Sequence, residues 1–240
     1  MLKGPELKMW IMNNNQLPQK KLIKNILTRI VLFIALMLVI FFLSAGTIDY
    51  WEAWIYLAVI VVFMFPFLIY FIKNDPNLLE RRMRTKEKET EQKLIVKLLF
   101  LCVLFTFMLP GFDKRFEWSN VSIEVVIVSD IIVLLGYVMI FLAMKKNGYA
   151  SRIIEVDEGQ KVISSGPYAM VRHPMYLGEL LMLLFAPLAL GSYWAIVPAL
   201  FIIPILVARI RNEEKVLERE LKGYREYTQK IRFRLIPGIW

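Results

Sequence analysis

The sequence predicts an all-α integral membrane protein: five or six transmembrane helices, ending in a C-terminal helical hairpin and an amphipathic helix at the cytoplasmic interface. Three observations predict it. Hydrophobic residues make up 58% of the 240, with a mean hydropathy of +0.52, well above the roughly 45–50% of globular chains. Those residues stand in long blocks separated by charged segments, whereas a soluble core would spread them at helical or strand period. The charge also alternates. Lys and Arg crowd the segments before the first block, between the second and third, between the fourth and fifth, and after the sixth, while the other connections hold Lys114 and Arg115 only. By the positive-inside rule both termini are then cytoplasmic. The net charge of +9 faces anionic headgroups and calls for no nucleic acid.

Taken in order, Met1 to Arg29 reads as a basic cytoplasmic arm, with the polar run "NNNQLPQKK". The blocks Ile30 to Thr47, Trp54 to Ile72, Leu94 to Gly111 and Val121 to Met144 are four spans, which place residues 30–144 in an N-terminal transmembrane region. The start imitates a signal peptide, with small residues at Ser44 to Gly46, but cleavage there would destroy the alternation of charge. Between the second and third spans, "NDPNLLERRMRTKEKETEQK" has helical character, with Glu80 four residues before Arg84. Residues 145–240 carry the rest. "SRIIEV" and "KVISSG" flank the turn signal "DEGQ", a pattern for a small β-hairpin at the membrane face. Leu177 to Leu190 and Tyr193 to Ala208 are short blocks; at about 1.5 Å per residue the former falls short of a ~30 Å hydrocarbon core. Gly191 and Ser192 between them predict a tight helical hairpin. Beyond Arg209, Leu217, Leu221, Tyr224, Tyr227 and Ile231 recur at three- and four-residue steps, predicting an amphipathic helix, or two broken near Gly223.

Cys102 is the only cysteine and His173 the only histidine, which excludes an intrachain disulfide and leaves no metal site of Cys or His type. The polar residues worth weighing sit in "GPYAMVRHPMYLGE". Pro174 pushes His173 out of helical geometry, so a helix begins at or just after it, with its free N–H groups and positive dipole end at the interface. Arg172 and His173 add donors there, and Tyr168 and Tyr176 add rings and hydroxyls. The same four residues also suit an interfacial anchor and an aromatic belt. Glu179, one turn into an apolar run, is costly in a membrane and is a functional candidate for that reason; Asp130 in the fourth span raises the same question. In "RNEEKVLE", Glu213 and Glu214 point about 100° apart, one able to be buried and the other solvated. Equally, the stretch is read as a solvated face, with Glu218 and Lys222 spaced for an ion pair.

"GPYAMVRHPMYLGELL", followed after the hairpin by "RNEEKVLERELKGYREYTQKIRFRLIPGI", resembles the isoprenylcysteine carboxyl methyltransferase family and its phospholipid methyltransferase relatives over about the last hundred residues. The resemblance implies S-adenosylmethionine as cofactor in a cytoplasmic pocket, no Rossmann domain, and a catalytic region at 145–240. It makes Gln160, Lys161, Val162, Ile163, Tyr168, His173, Pro174, Met175, Tyr176 and Glu214 candidate cofactor-binding residues. Arg209 and Arg211 are both candidates for the arginine that meets a substrate carboxylate, and Arg172, Arg211 and Glu179 are the candidate catalytic residues. The implied partner is a lipid-like or prenylated small molecule delivered from the membrane, with no obligate protein partner. A sulfonium is an activated donor, aromatic faces attract it, and a carboxylate acceptor is ionised at neutral pH and needs no base. A phospholipid amine as acceptor would need one, and would draw in Glu179, Glu213 or His173. Two other readings stand beside these: an NADPH-dependent sterol-type reductase, which calls for a cluster of arginines at the site, whereas the run Arg81 to Arg84 is distant in sequence from the C-terminal motifs, and a non-enzymatic membrane scaffold.

Overall fold

The computed structural model describes residues 19–84 and 90–240, and among them every regular element is helical. The chain divides into two units, residues 1–37 and residues 38–240. In the first, helix α1 (Gln19–Leu38) begins eleven residues before the expected span. Lys20, Lys21 and Lys24 are good helix formers, so the helix runs on past the apolar block. The remainder of the expected arm, residues 1–18, lies outside the described residues.

In the second unit a five-residue π-helical stretch, Val39–Leu43, precedes α2 (Trp51–Asn74). Next come α3 (Pro76–Arg82), α4 (Thr90–Phe116), α5 (Ile123–Lys146), α6 (Pro174–Ala189), α7 (Ile196–Glu220) and α8 (Tyr224–Lys230). Among the described residues, four helices are long and apolar enough to cross a membrane: Lys20–Leu43, Trp51–Asn74, Glu91–Phe116 and Ile123–Lys146. The protein is therefore an integral membrane protein. α6 is apolar but shorter, and α7 is apolar only in its first half.

Close helix contact sets the position of the site. α5 packs along α6, and α4 along α7. At the α5–α6 crossing, a Cβ on Gly136 would fall 2.7 Å from the Gly178 carbonyl oxygen, and one on Gly178 would fall 2.6 Å from that of Gly136. Only hydrogen fits at either place, the small-residue contact that lets membrane helices approach. The turn between α6 and α7 is fixed at the opposite end of the bundle. Gly191 adopts φ +74° there, the Tyr50 hydroxyl donates to the Leu190 carbonyl at 2.6 Å, and the buried Asp113 carboxylate accepts from Ser192 Oγ and from the backbone N–H and hydroxyl of Ser119.

Two local expectations need correcting. "SRIIEV" and "KVISSG" do not pair as strands; residues 147–165 are irregular, although "DEGQ" does turn, with Gln160 N–H donating to the Asp157 carbonyl at 3.0 Å and Gly159 at φ +78°. The segment finds its partners on α3 instead. Arg81 donates to Asp157 Oδ2 at 2.7 Å and to the Gly148 carbonyl at 2.6 Å, Arg82 to the Ser151 carbonyl at 3.1 Å, and Arg84 to Glu155 and Asp157. Arg84, set four residues after Glu80 for a helical ion pair, lies beyond the end of α3 at Arg82 and reaches across to this segment. Long arginine side chains satisfied the loop's carbonyls and acids where a second strand would have done so.

Candidate active site

His173 closes the irregular segment. With φ −125° and ψ 62° it is not helical, and α6 starts at Pro174, as the steric clash ahead of a proline requires. Just upstream, Gly166 takes φ +61° and Gly166–Ala169 forms a single 3₁₀ turn that buries Tyr168. The C-terminal tail then folds back along this corner. Arg172 N–H donates to the Phe233 carbonyl at 3.0 Å and His173 N–H to the Arg234 carbonyl at 2.9 Å, so the two backbones run side by side for two residues.

Glu214 joins the corner to α7. Its Oε1 accepts from Arg172 Nη1 at 2.7 Å and lies 3.3 Å from His173 Nε2; its Oε2 accepts from Arg234 Nε at 2.7 Å. Burial opposes ionisation, but the hydrogen bonds from His173 and Arg234, with the charges of His173 and Arg172, outweigh it and hold this carboxyl below its usual range. Both oxygens are engaged within the protein.

Beside this network lies a cavity of about 290 Å³, near the lower end of the range for small-molecule sites. Gln160, Lys161, Val162, Ile163, Tyr168, Arg172, His173, Met175, Tyr176, Glu179, Arg209 and Glu213 all line it. Pro174, Glu214 and Arg211 do not. Residues two apart on a helix point about 200° apart, so α7 turns Arg209 inward and leaves Arg211 exposed. Arg209 is buried: its Nε donates to the Tyr176 hydroxyl at 3.0 Å, Nη1 to Gln92 Oε1 at 3.0 Å and Nη2 to the Arg152 carbonyl at 2.9 Å. The Tyr176 hydroxyl in turn donates to Glu213 Oε2 at 2.5 Å. The adjacent acids divide as their 100° separation allows, Glu213 to the cavity and Glu214 to Arg172 and Arg234. Asp130 is buried in α5 and is not part of the cavity wall.

Several wall residues were not singled out as site residues by the sequence. Arg82 enters from α3 and Val96 and Leu99 from α4, while Tyr149 and Arg152 come from the irregular segment and Tyr224 and Tyr227 from the tail. Burial pulls the Arg82 guanidinium below its ordinary pKa, against the opposing pull of Glu179 and Tyr176. Arg81 to Arg84, remote in sequence, are thus next to the site through Arg82. No cluster of His, Cys, Asp and Glu able to hold a metal ion occurs among the described residues. The tyrosines offer ring faces to a cation, Glu213 a carboxylate to an ammonium, and the arginines donors to an anion.

Residues 127–219 match the model of the isoprenylcysteine carboxyl methyltransferase family. Among curated proteins, the chain is 33% identical to Delta(14)-sterol reductase TM7SF2 of Mus musculus over 90 residues, which is 36% of this chain and 22% of that protein. It is 25% identical to the Delta(14)-sterol reductase of Arabidopsis thaliana over 153 residues, 58% of this chain and 41% of that protein. The chain therefore spans well under half the length of these relatives. Among solved structures it is similar to a eukaryotic intramembrane Ras methyltransferase, isoprenylcysteine carboxyl methyltransferase, at 16% identity and a TM-score of 0.47, covering 89% of this chain and 86% of that one. Residues 127–219, the stretch that this family's model matches, supply most of the cavity wall.

Proposed function

We propose that the protein is a methyltransferase that takes S-adenosylmethionine into this cavity from the cytoplasmic side and methylates the carboxylate of a lipid-like acceptor, such as an isoprenylcysteine, reaching it from the bilayer. The observation that carries the reading is Arg209: a buried guanidinium, held by Gln92 and Tyr176, in the wall of a cavity built largely from the family-matched residues.

The bound cofactor supplies a methyl group on a positively charged sulfur, already activated for displacement. The protein positions the reactants and excludes water. Arg209 and Arg82 attract the acceptor carboxylate and aim one oxygen, and charge-assisted hydrogen bonds from a planar guanidinium fix its orientation. Tyr176 receives a hydrogen bond from Arg209 and passes one to Glu213, so its ring is locked in the wall beside the place of transfer. A carboxylate is ionised at neutral pH and gives up no proton on methylation, so Glu179 and Glu213 need not act as bases. We assign them to charge balance against Arg82 and Arg209. Arg172, braced by Glu214, orients the cofactor. The catalytic region is residues 145–240, completed by Arg82, Val96 and Leu99, and which membrane holds the protein follows from its acceptor.

A second reading, an NADPH-dependent sterol-type reductase, is favoured by the two Delta(14)-sterol reductases and by the basic residues Arg82, Arg152, Lys161, Arg172 and Arg209 around the cavity. Calorimetric titration of the nanodisc-held protein separates the two. S-adenosylhomocysteine binds and NADPH does not if the methyltransferase reading holds; the reverse result selects the reductase.

A further inference from the structure

α8 spends its apolar face on the protein, where Leu221, Tyr224 and Tyr227 are buried with Val156, Val162, Leu217 and Ile231. What the C-terminal tail offers to its surroundings comes after that helix, in "KIRFRLIPGIW", Lys230 to Trp240.

The far end of this stretch sits at membrane depth. Leu235 is buried in one cluster with Leu180 of α6 and with Leu206 and Ile210 of α7, and Ile236 and Trp240 pack against it. Leu180 and Leu206 belong to the apolar blocks, and at about 1.5 Å per residue Leu180 lies about 9 Å along α6 from Pro174. That matches the roughly 5–10 Å to which an interfacial element enters the boundary of headgroups and acyl chains. There the chain turns and closes its own backbone bonds. Gly238 takes φ +81°, the Leu235 and Ile236 N–H groups donate to the Trp240 carbonyl at 2.9 and 3.1 Å, and the Trp240 N–H donates to the Ile236 carbonyl at 3.1 Å. Ile239 in this turn is 78% exposed.

The near end is basic. Lys230 and Arg232 are exposed, and from residue 221 onward five bases stand against one acid, Glu226. Bases above an apolar anchor suit an anionic leaflet. The same stretch also holds the corner beside the cavity: the Phe233 and Arg234 carbonyls accept from the Arg172 and His173 N–H groups, and the Arg232 carbonyl accepts from Arg172 Nη2 at 2.9 Å.

We propose that the tail is a clamp seated in the membrane. Ile239 and its turn enter the acyl boundary of the leaflet on the site's side, and Lys230 and Arg232 bind the phosphates of anionic phospholipids there. The lipid so held steadies the backbone that carries Arg172 and His173, so headgroup charge sets how firmly this wall of the cavity is fixed. The proposal needs no ligand in the cavity and stands apart from the methyl-donor reading.

The test follows amide exchange in peptides covering residues 168–174 and 230–240, with the full chain in nanodiscs of phosphatidylcholine alone or mixed with phosphatidylglycerol. Each base near an anionic surface is worth about a five-fold change. Protection of both peptides in wild type should therefore rise about ten-fold or more with phosphatidylglycerol, and Lys230→Gln/Arg232→Gln should lose that rise while matching wild type in phosphatidylcholine. Ile239→Asp should lower protection in either nanodisc, whereas an exposed side chain standing in water would tolerate the change. Equal wild-type exchange in the two lipids would overturn the headgroup assignment, and a rise that survives in the double variant would overturn Lys230 and Arg232 as its site. Ile239→Asp exchanging as wild type does would overturn the seating of the turn.

Discussion

Replacing Glu214 by glutamine removes one charge and keeps the shape, at the point where α7, the His173 corner and the C-terminal tail meet. The carboxylate accepts at 2.7 Å from both Arg172 and Arg234, and its side chain is 6% exposed against 8% for Arg172 and 34% for Arg234. Arg234 is about one-third exposed, so its share is discounted to the ~0–1 kcal/mol of a surface pair. Arg172 is buried, and breaking a buried pair from one side costs about 3–5 kcal/mol, because the remaining charge has neither water nor partner. A glutamine oxygen still accepts one bond, so the loss should fall near the lower bound, about 3–4 kcal/mol in all. At roughly 2–4 °C per kcal/mol for a domain of this size, the melting temperature in nanodiscs should drop by about 6–16 °C. Since folding lowers this carboxyl's pKa, its contribution to stability is fully present above the unfolded value near 4.5 and disappears as pH falls through the folded value below it. Wild type should therefore lose stability over a window below about pH 4.5 in which Glu214→Gln changes less. A fall of less than about 2 °C at neutral pH would refute the claim that Glu214 is the structural counter-charge of Arg172.

Arg209 and Arg211 should separate cleanly in turnover. Arg209→Ala should lower methylation of a carboxylate acceptor by about a hundred-fold or more, in line with loss of a buried charge-assisted contact worth on the order of 3 kcal/mol, whereas Arg211→Ala, exposed and off the cavity, should change it less than two- to three-fold; kcat/KM of both variants checks this. Gly178→Val should abolish the monodisperse folded protein on size exclusion, because its Cβ would sit 2.6 Å from the Gly136 carbonyl oxygen, while Ala186→Gly tests that a small change elsewhere on α6 is tolerated. Arg84→Glu should raise amide exchange in residues 148–157, and Glu155→Arg combined with it should restore protection, if the α3 arginines hold that segment against the cavity.

Much of the fold was legible because the bilayer imposes a signal that does not depend on tertiary partners. Four of the apolar blocks became long helices, proline steric effects placed the start of α6 at Pro174, and glycines marked both the α6–α7 turn at Gly191 and the break at Gly223. What failed was whatever long-range packing decides. The β-rich runs around "DEGQ" had no partner strand, and α3 arginines took their carbonyls instead. Pattern could offer Arg209 and Arg211 as equals, since both leave the span together, and only the direction in which α7 packs on α4 turned Arg209 inward. The same rotation gave Glu213 to the cavity and Glu214 to Arg172 and Arg234. Arg82 shows the limit most clearly: it lies 65 residues before Asn147, the nearest wall residue of the irregular segment, and no spacing rule joins them. Tyr224 was legible as one of an apolar series, but its place in the cavity wall could be found only in three dimensions.

The central claim is tested most directly by incubating the nanodisc-held protein with methyl-labelled S-adenosylmethionine and an S-prenylated cysteine derivative with a free carboxylate. The account predicts label in the lipid product as a base-labile methyl ester, absent when the carboxylate is replaced by an amide and absent with Arg209→Ala. Label that resists base, or no transfer from a protein that binds S-adenosylhomocysteine, would contradict the carboxylate assignment. Oxidation of NADPH by the same preparation on an unsaturated sterol would contradict the methyltransferase itself.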